Sequence, residues 1–395
     1  MKIIGIRQAA ILAGGQGIRL RPFTLTLPKP MIPIHGKPFL EYIIELLKKN
    51  SIEEVIIMTG YLHKKIEDYF KDGQKFGLKI KYSFSPVEDE TGTRIKKAKK
   101  FLDGTFLLLY ADNYWPLQLD QLFKFYKKMD TQGLATVYSN IDNYTKNNIL
   151  VNDKGLVEIY DKTRQTPGLN GVDIGFFVLN KKIFNLFPQE NFSFEKVILP
   201  QLVSKKQLAG FLTNHKYYGL SNLERIPVIE KFLKPKKIIL LDRDGVIDEK
   251  PPKAEYVKNW SEFKFLPGTI EALKLLNKKG YQIIIISNQA GIGRGVMTEE
   301  DLKEIHRKFL EACAKESINI VGIYYCPHNW DEGCFCRKPK PGMLFKAAAD
   351  HSFDLTKAIF IGDDERDKQA GQAANCPTIL LQQGRDLLAI IRDLV

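Results

Sequence analysis

Three groups of residues in this 395-residue chain have the types and spacing to do chemistry. The first is Ala9-Ala-Ile-Leu-Ala-Gly-Gly-Gln-Gly-Ile-Arg-Leu-Arg-Pro, a buried-type strand running into a glycine turn and two arginines. Gly14, Gly15 and Gly17 let the backbone approach a phosphate closely and turn N–H groups toward its oxygens. The pattern is neither a Walker A loop nor a dinucleotide fingerprint, and a glycine turn alone is what many strand-to-helix turns need. Arg19 and, ten residues on, Lys29 between Pro28 and Pro30 tip the reading toward phosphate. The second group is Asp242 and Asp244, two residues apart at the end of the apolar run Lys237-Ile-Ile-Leu-Leu. Two further apolar runs end similarly, Ile283–Ile286 at Ser287-Asn288-Gln289 and Ile359-Phe-Ile-Gly at Asp363-Asp364. One Asp-x-Asp is commonly a solvated turn; three strand ends converging on Asp, Ser and Asp point to a site beyond the carboxyl edge of a parallel sheet. The third group, Cys326-x-His328 and Cys334-x-Cys336, offers three thiolates and an imidazole, a closed tetrahedral set for structural Zn²⁺.

These groups need elements to position them. Short apolar runs (Gln8–Leu12, Glu54–Met58, Thr105–Ala111, Gly175–Leu179) alternate with amphipathic stretches, the pattern of α/β folds. A proline among cations in Phe232-Leu-Lys-Pro-Lys-Lys-Ile places a linker near 233–237, so two domains are expected, 1–233 and 237–395.

Composition is that of an ordinary globular protein: 44% hydrophobic, 27% charged, 29 Gly and 19 Pro, which excludes collagen-like, disordered and coiled-coil classes. The longest apolar run, Phe106 to Ala111, is far short of the ~18 residues a membrane helix requires. The opening Met1-Lys-Ile-Ile-Gly-Ile-Arg lacks a long apolar segment, so no secretory leader and a cytoplasmic location are expected. The net charge of +13 is unevenly placed: residues 1–235 hold 35 Lys+Arg against 23 Asp+Glu, and residues 236–395 hold 24 against 23. The excess suggests a small anionic partner for the first half or simply a solvated lysine-rich surface; scattered lysines without an aromatic-rich basic module argue against nucleic acid. No cysteine occurs before Cys313, which argues against a disulfide framework, and Cys313 and Cys376 read as packed core residues.

The first half resembles the sugar-phosphate nucleotidyltransferases. Their glycine loop and Pro-Lys-Pro are matched at 14–20 and 28–30, with Ile18 in place of Thr, and the likeness continues through Glu88-Asp-Glu-Thr-Gly-Thr, Tyr110-Ala-Asp-Asn, Asp161-Lys162 and Val172-Asp-Ile-Gly-Phe-Phe-Val-Leu. The resemblance implies a Rossmann-like, glycosyltransferase-A-type domain in which a sugar 1-phosphate attacks the α-phosphorus of a nucleoside triphosphate and pyrophosphate leaves. It implies Arg19 at the leaving phosphates, Lys29 at the α-phosphate, Lys162 at the sugar phosphate, Asp112 as a Mg²⁺ ligand, and Gly92 and Thr93 beside the base. Two departures stand out. The late segment Tyr217-Tyr-Gly-Leu-Ser-Asn lacks the second metal-binding Asp of many relatives, and Thr93-Arg94-Ile95 is bulkier than usual. A domain that only binds nucleotide is therefore an open alternative.

The second half resembles the haloacid dehalogenase phosphatases, a Rossmannoid fold here carrying a zinc loop. Asp242 matches the nucleophile that becomes an aspartyl-phosphate, Asp244 the general acid and base, Ser287 the phosphoryl-holding hydroxyl and Lys338 the balancing cation. Asp363, with the Asp242 carboxylate and the Asp244 carbonyl, is the implied Mg²⁺ site, and Asp364 and Asp367 are supporting acids. Cys-Phe-Cys-Arg-Lys-Pro-Lys-Pro-Gly-Met and Ser287-Asn-Gln-Ala-Gly-Ile-Gly-Arg-Gly narrow the likeness to heptose 1,7-bisphosphate 7-phosphatases, with histidinol-phosphate phosphatases the nearest lookalike. Asn288, Arg294 and Arg337 are the implied substrate contacts. A 7-phosphatase would produce the sugar 1-phosphate that a nucleotidyltransferase consumes, so the fusion is expected to make nucleotide-activated heptose, with GTP as the expected donor. The alternatives are a histidinol-phosphate phosphatase joined to an unrelated transferase, and a phosphatase with a regulatory first half.

Overall fold

The computed structural model describes residues 5–252, 254–381 and 385–395. The chain divides into two compact units, Met1–Lys231 and Phe232–Val395. The helix Arg225–Leu233 is followed by only three residues before the strand that starts at Lys237.

The first unit is built on a seven-stranded sheet. In chain order its strands are β1 (Gln8–Ala13), β2 (Glu54–Thr59), β3 (Lys79–Phe84), β4 (Thr105–Tyr110), β5 (Gly133–Tyr138), β6 (Val172–Asn180) and β7 (Leu208–Thr213). Their spatial order is β7-β5-β6-β4-β1-β2-β3. β1 pairs parallel with β2 and β4, while β6 runs antiparallel to β4 and β5. A strand flanked on both edges and both faces should be apolar throughout, and all six residues of β1 are buried. The helix Phe39–Lys49 buries Phe39, Leu40, Ile43, Ile44, Leu46 and Leu47, the i, i+3, i+4 stripe of a core-facing helix, and ends on Lys48 and Lys49 where the helix dipole favours cations.

The second unit has five parallel strands: β8 (Lys237–Leu241), β9 (Tyr281–Asn288), β10 (Ile320–Cys326), β11 (Ile359–Gly362) and β12 (Thr378–Leu380), ordered β10-β9-β8-β11-β12. Alternate residues feed opposite faces. Ile239, Leu241, Ile283 and Ile285 pack with Leu273, Leu302 and Phe309. Ile238, Leu240, Ile284 and Ile286 pack with Leu344, Ala347 and Ala370. The chain moves outward from β8 to β10 and then returns to the other side of β8, so the strand order reverses beside β8. Ligands of open α/β sheets bind at that reversal, beyond the strands' carboxyl ends.

Candidate active sites

In the first unit, the end of β1 and the loop after it, the end of β4, and residues within 87–94 and 193–196 frame a pocket of about 810 Å³. Gly14, Gly15, Gly17, Arg19, Lys29, Asp112 and Lys162 all line it. Lys29 Nζ is hydrogen-bonded to Asp112 Oδ2. Lys162 Nζ lies 3.2 Å from Glu195 Oε1. Glu195 is buried and accepts hydrogen bonds from Thr91 Oγ1 (2.6 Å), Ser193 Oγ (2.8 Å) and the Tyr110 hydroxyl. Burial pushes its carboxyl up, but Lys162 and the donated hydrogen bonds outweigh that and hold it at about 2. Asp173 moves the other way. Burial raises it to about 6, although Gly175 N–H and the Tyr160 hydroxyl donate to it.

Two expected residues lie elsewhere. Gly92 and Thr93 are not among the residues lining this pocket; Gly92 N–H donates to Phe192 O (3.0 Å) and Thr93 Oγ1 accepts from Phe192 N–H (3.0 Å). The reason is helical phase: they open the helix Thr91–Ala98, whose Thr91 and Arg94 reach the pocket instead. Arg94, bulky where a small residue is usual, is buried as a brace. Its guanidinium donates to the carbonyls of Thr59, Ser85, Pro86, Val87 and Asp89, fixing one pocket wall. The sequence reading gave Glu195 and Asp173 no role; Asp173 is a lone acid within an apolar run, and that contrast was the available signal, whereas Glu195, between Phe194 and Lys196, carries none.

In the second unit, Asp242 follows β8 directly and is 8% exposed. Lys338, 2% exposed, places Nζ 2.8 Å from Asp242 Oδ2, 2.7 Å from Asp367 Oδ1 and 3.0 Å from Ile286 O. Asp367 Oδ2 accepts the N–H groups of Asp363 (3.2 Å) and Asp364 (3.1 Å), which holds the loop after β11 in place. Asp242 is pushed up to about 7 by burial; Lys338 opposes this, and Asp367 and Asp244 add to it. Asp244 turns aside. Its Oδ1 accepts from Arg243 Nη2 (2.6 Å) and its Oδ2 from Gln289 Nε2 (2.8 Å). Gly245 has φ +89°, and a Cβ there would stand 2.3 Å from Asp363 Oδ2, so only glycine lets the loop after β8 pass this close to that carboxylate. A pocket of about 690 Å³ opens above, lined by Asp242, Asp244, Asn288, Arg337, Lys338 and Asp363 among others.

Ser287 and Arg294 depart from expectation. Ser287 is fully buried, with Oγ accepting from Gln289 Nε2 (2.8 Å) and 3.4 Å from Asp244 Oδ2, because its position in β9 points it under the loop. Arg294 lies outside the pocket lining; its guanidinium sits 4.9 Å from the Trp330 ring and 5.8 Å from that of Tyr256. Sequence reasoning did not single out Gln289 or Lys250. Lys250 Nζ lies 2.6 Å from Asp363 Oδ2.

Both metal sets have suitable geometry. The carboxylates of Asp242, Asp363 and Asp367 come within 4.8 Å of one another, and Asp363 Oδ1 is buried with no hydrogen-bond partner, an acceptor suited to a hard cation. Cys326 Sγ lies 3.6 Å from Cys334 Sγ and 3.3 Å from Cys336 Sγ, and His328 Nδ1 lies 3.5 Å from Cys326 Sγ and 3.2 Å from Cys336 Sγ. Those edges approach the ~3.8 Å of a tetrahedron with Zn–S bonds. Cys313 and Cys376 are buried, and burial pushes each thiol up to about 12. No helix among the described residues is long and apolar enough to cross a membrane.

Residues 8–223 match the family model described as nucleotidyl transferase. The chain belongs to the nucleotidyl transferase family. Residues 237–376 of this two-unit enzyme match a second model, polynucleotide kinase 3 phosphatase. The first unit is similar to a D-glycero-alpha-D-manno-heptose 1-phosphate guanylyltransferase of Campylobacter jejuni, 37% identical over 194 residues, 48% of this chain and 84% of the relative. The second is similar to a D-glycero-alpha-D-manno-heptose-1,7-bisphosphate 7-phosphatase of the same organism, 42% identical over 145 residues, 37% of this chain and 81% of the relative. It is also similar to a D-glycero-beta-D-manno-heptose-1,7-bisphosphate 7-phosphatase of Pseudomonas aeruginosa, 35% identical over 159 residues, 40% of this chain and 88% of the relative. The protein is a nucleotidyltransferase joined to a haloacid dehalogenase-like phosphatase.

Proposed function

We propose that the chain carries out two steps toward nucleotide-activated heptose. Residues 237–395 remove the 7-phosphate of D-glycero-D-manno-heptose 1,7-bisphosphate, and residues 1–233 transfer GMP from GTP to the resulting heptose 1-phosphate. The observation that carries this reading is the pairing of relatives on one chain, since the product named for one kind is the substrate named for the other. The α-anomer is favoured because the transferase relative is named for it, and a β-linked product would not serve such a partner. Both reactions belong in the cytoplasm, where GTP is available.

In the phosphatase, Asp242 attacks phosphorus and Asp244 gives a proton to the departing C7 oxygen; Asp244 then takes a proton from the water that opens the aspartyl-phosphate. Lys338 offsets the charge of the Asp242–Asp367 pair, and Asn288 and Arg337 hold the substrate. Asp242 and Asp363 would hold a Mg²⁺, which would supply the positive charge that lets an anionic nucleophile meet a phosphate dianion. Cys326, His328, Cys334 and Cys336 would hold a Zn²⁺, which would fix the loop that leads into Arg337 and Lys338. In the transferase, the Gly14–Gly17 backbone and Arg19 hold the triphosphate, Lys29 faces its α-phosphate, Lys162 holds the sugar phosphate, and Asp112 would hold a Mg²⁺.

The test supplies both heptose bisphosphate anomers with each common nucleoside triphosphate and reads phosphate, pyrophosphate and product mass. The expected outcome is release of the 7-phosphate followed by GDP-heptose from the α-anomer. Phosphate release from histidinol phosphate in preference to heptose bisphosphate, or no nucleotide sugar with any triphosphate, would overturn the reading.

A further inference from the structure

The phosphatase pocket is lined by two unlike kinds of residue. Asp242, Asp244, Asp363, Asp367 and Lys338 supply charge, whereas Pro251, Pro252, Tyr256, Ala290 and Trp330 supply apolar surface. Trp330 is 63% exposed, so it contributes little to any core. Single exposed apolar residues are ordinary, but this one is held in place. It stands between the two halves of the metal-binding set, after Cys326 and His328 and before Cys334 and Cys336. Its backbone N–H donates to Asn329 Oδ1 (2.9 Å), and Gly293 N–H donates to Pro327 O (2.8 Å) at the base of the same loop. The Arg294 guanidinium lies 4.9 Å from the indole ring, within cation–π range, and its Nη1 donates to the Tyr256 hydroxyl (3.2 Å). An indole restrained by Arg294 thus lines the same pocket as the carboxylates and lysine suited to phosphate chemistry.

We propose that Trp330 is a substrate-binding residue that packs against the C–H face of the sugar while the carboxylate-lined part of the pocket holds the phosphate being removed; this rests on the sugar-phosphate reading given above. An aromatic ring is apolar on its face, and ligand sites combine such walls with a few placed polar groups. Arg294 acts on the substrate through Trp330, as a positioning residue that keeps the indole turned toward the pocket. The metal-binding loop thereby has a second purpose besides orienting Arg337 and Lys338: it carries the residue that distinguishes a sugar phosphate from a smaller phosphate.

The test uses the full-length wild type, Trp330→Ala and Trp330→Phe, with heptose bisphosphate and with acetyl phosphate, which has no sugar ring. The ratio of kcat/KM for the sugar to that for acetyl phosphate should fall about three- to tenfold in Trp330→Ala, mainly through KM, and recover in Trp330→Phe. An unchanged ratio overturns the proposal. Equal losses on both substrates, with less bound zinc, would make Trp330 a structural residue of the loop and overturn it as well. If the wild type hydrolyses acetyl phosphate but not heptose bisphosphate, the heptose reading fails on its own; the same ratio, measured with the best sugar phosphate of a panel, then decides Trp330.

Discussion

Replacing Lys338 with Met tests whether one buried ammonium holds the phosphatase site together. Lys338 is 2% exposed and serves Asp242 at 2.8 Å and Asp367 at 2.7 Å. Met fills similar volume but removes the charge, leaving two buried carboxylates facing each other. The direct attraction at 2.8 Å is roughly 6 kcal/mol per pair at an effective dielectric of about 20. Much of that offsets desolvation, so the loss on breaking a buried pair is about 3–5 kcal/mol. For a unit of this size about 1 kcal/mol corresponds to roughly 3 °C, giving an expected fall of about 9–15 °C in the second unit's transition. Scanning calorimetry of the full chain without added metal reads this, because the first unit's transition stays in place as an internal reference. Asp367→Asn in the Lys338→Met background should recover part of the loss, since it removes one of the stranded charges. A shift below about 3 °C, or a double variant less stable than Lys338→Met, would refute the view that Lys338 acts as the counter-charge.

Asp242→Asn should abolish phosphate release while nucleotide-sugar formation from supplied heptose 1-phosphate continues; substantial residual phosphatase activity would count against the nucleophile. Stripping zinc with a strong chelator in excess Mg²⁺ should lower phosphatase activity and destabilise residues 326–338, and metal analysis should find about one zinc per chain; full activity without zinc would exclude the site. Asp112→Ala should lose Mg²⁺-dependent pyrophosphate release, and a Mg²⁺ titration identical to that of wild type would show that Asp112 is not a ligand. Gly219→Asp in the otherwise wild-type chain should tighten Mg²⁺ dependence, because the close contact of a Cβ there, 2.9 Å from Asn113 Oδ1, is with the end of a side chain that can swing aside while the backbone stays in place; an unchanged Mg²⁺ titration would count against a carboxylate position there. Asp173, raised to about 6 in the folded chain, binds its proton more tightly there than when unfolded, so its contribution to stability is present at low pH and falls as pH rises from about 4 through 6. Asp173→Asn should therefore flatten the stability profile over that window, by at most roughly 3 kcal/mol, and parallel profiles for the two proteins would contradict the raised carboxyl.

Much of both sites was legible in one dimension because their chemistry is local. Gly14 to Lys29, Asp242-x-Asp244 and the Cys/His pairs need neighbours a few residues apart, and short spacing survives in sequence. The apolar runs ending at Asp242, Ser287 and Asp363 announced β8, β9 and β11, since a parallel strand covered on both faces must be apolar along its length. What the sequence left undecided depended on where distant side chains come to rest. Arg94 was legible only as a bulky residue where a small one is usual; in the fold it is a brace against Gly14, because the Thr59 carbonyl at the end of β2 and four carbonyls of the 85–89 loop converge on its guanidinium. Glu195 meets Lys162 and Tyr110 only after the chain returns across the sheet, and Asp367 joins Asp242 through a lysine from another loop. Gly92, Thr93, Ser287 and Arg294 carried the right residue types, but helical phase, strand facing and two aromatic rings turned them elsewhere. Residue type and spacing state which chemistry is available; burial and long-range contacts decide which charges are paired, which are raised or lowered, and which side chains reach the pocket, because desolvation and Coulomb energy depend on distances that only the folded chain defines.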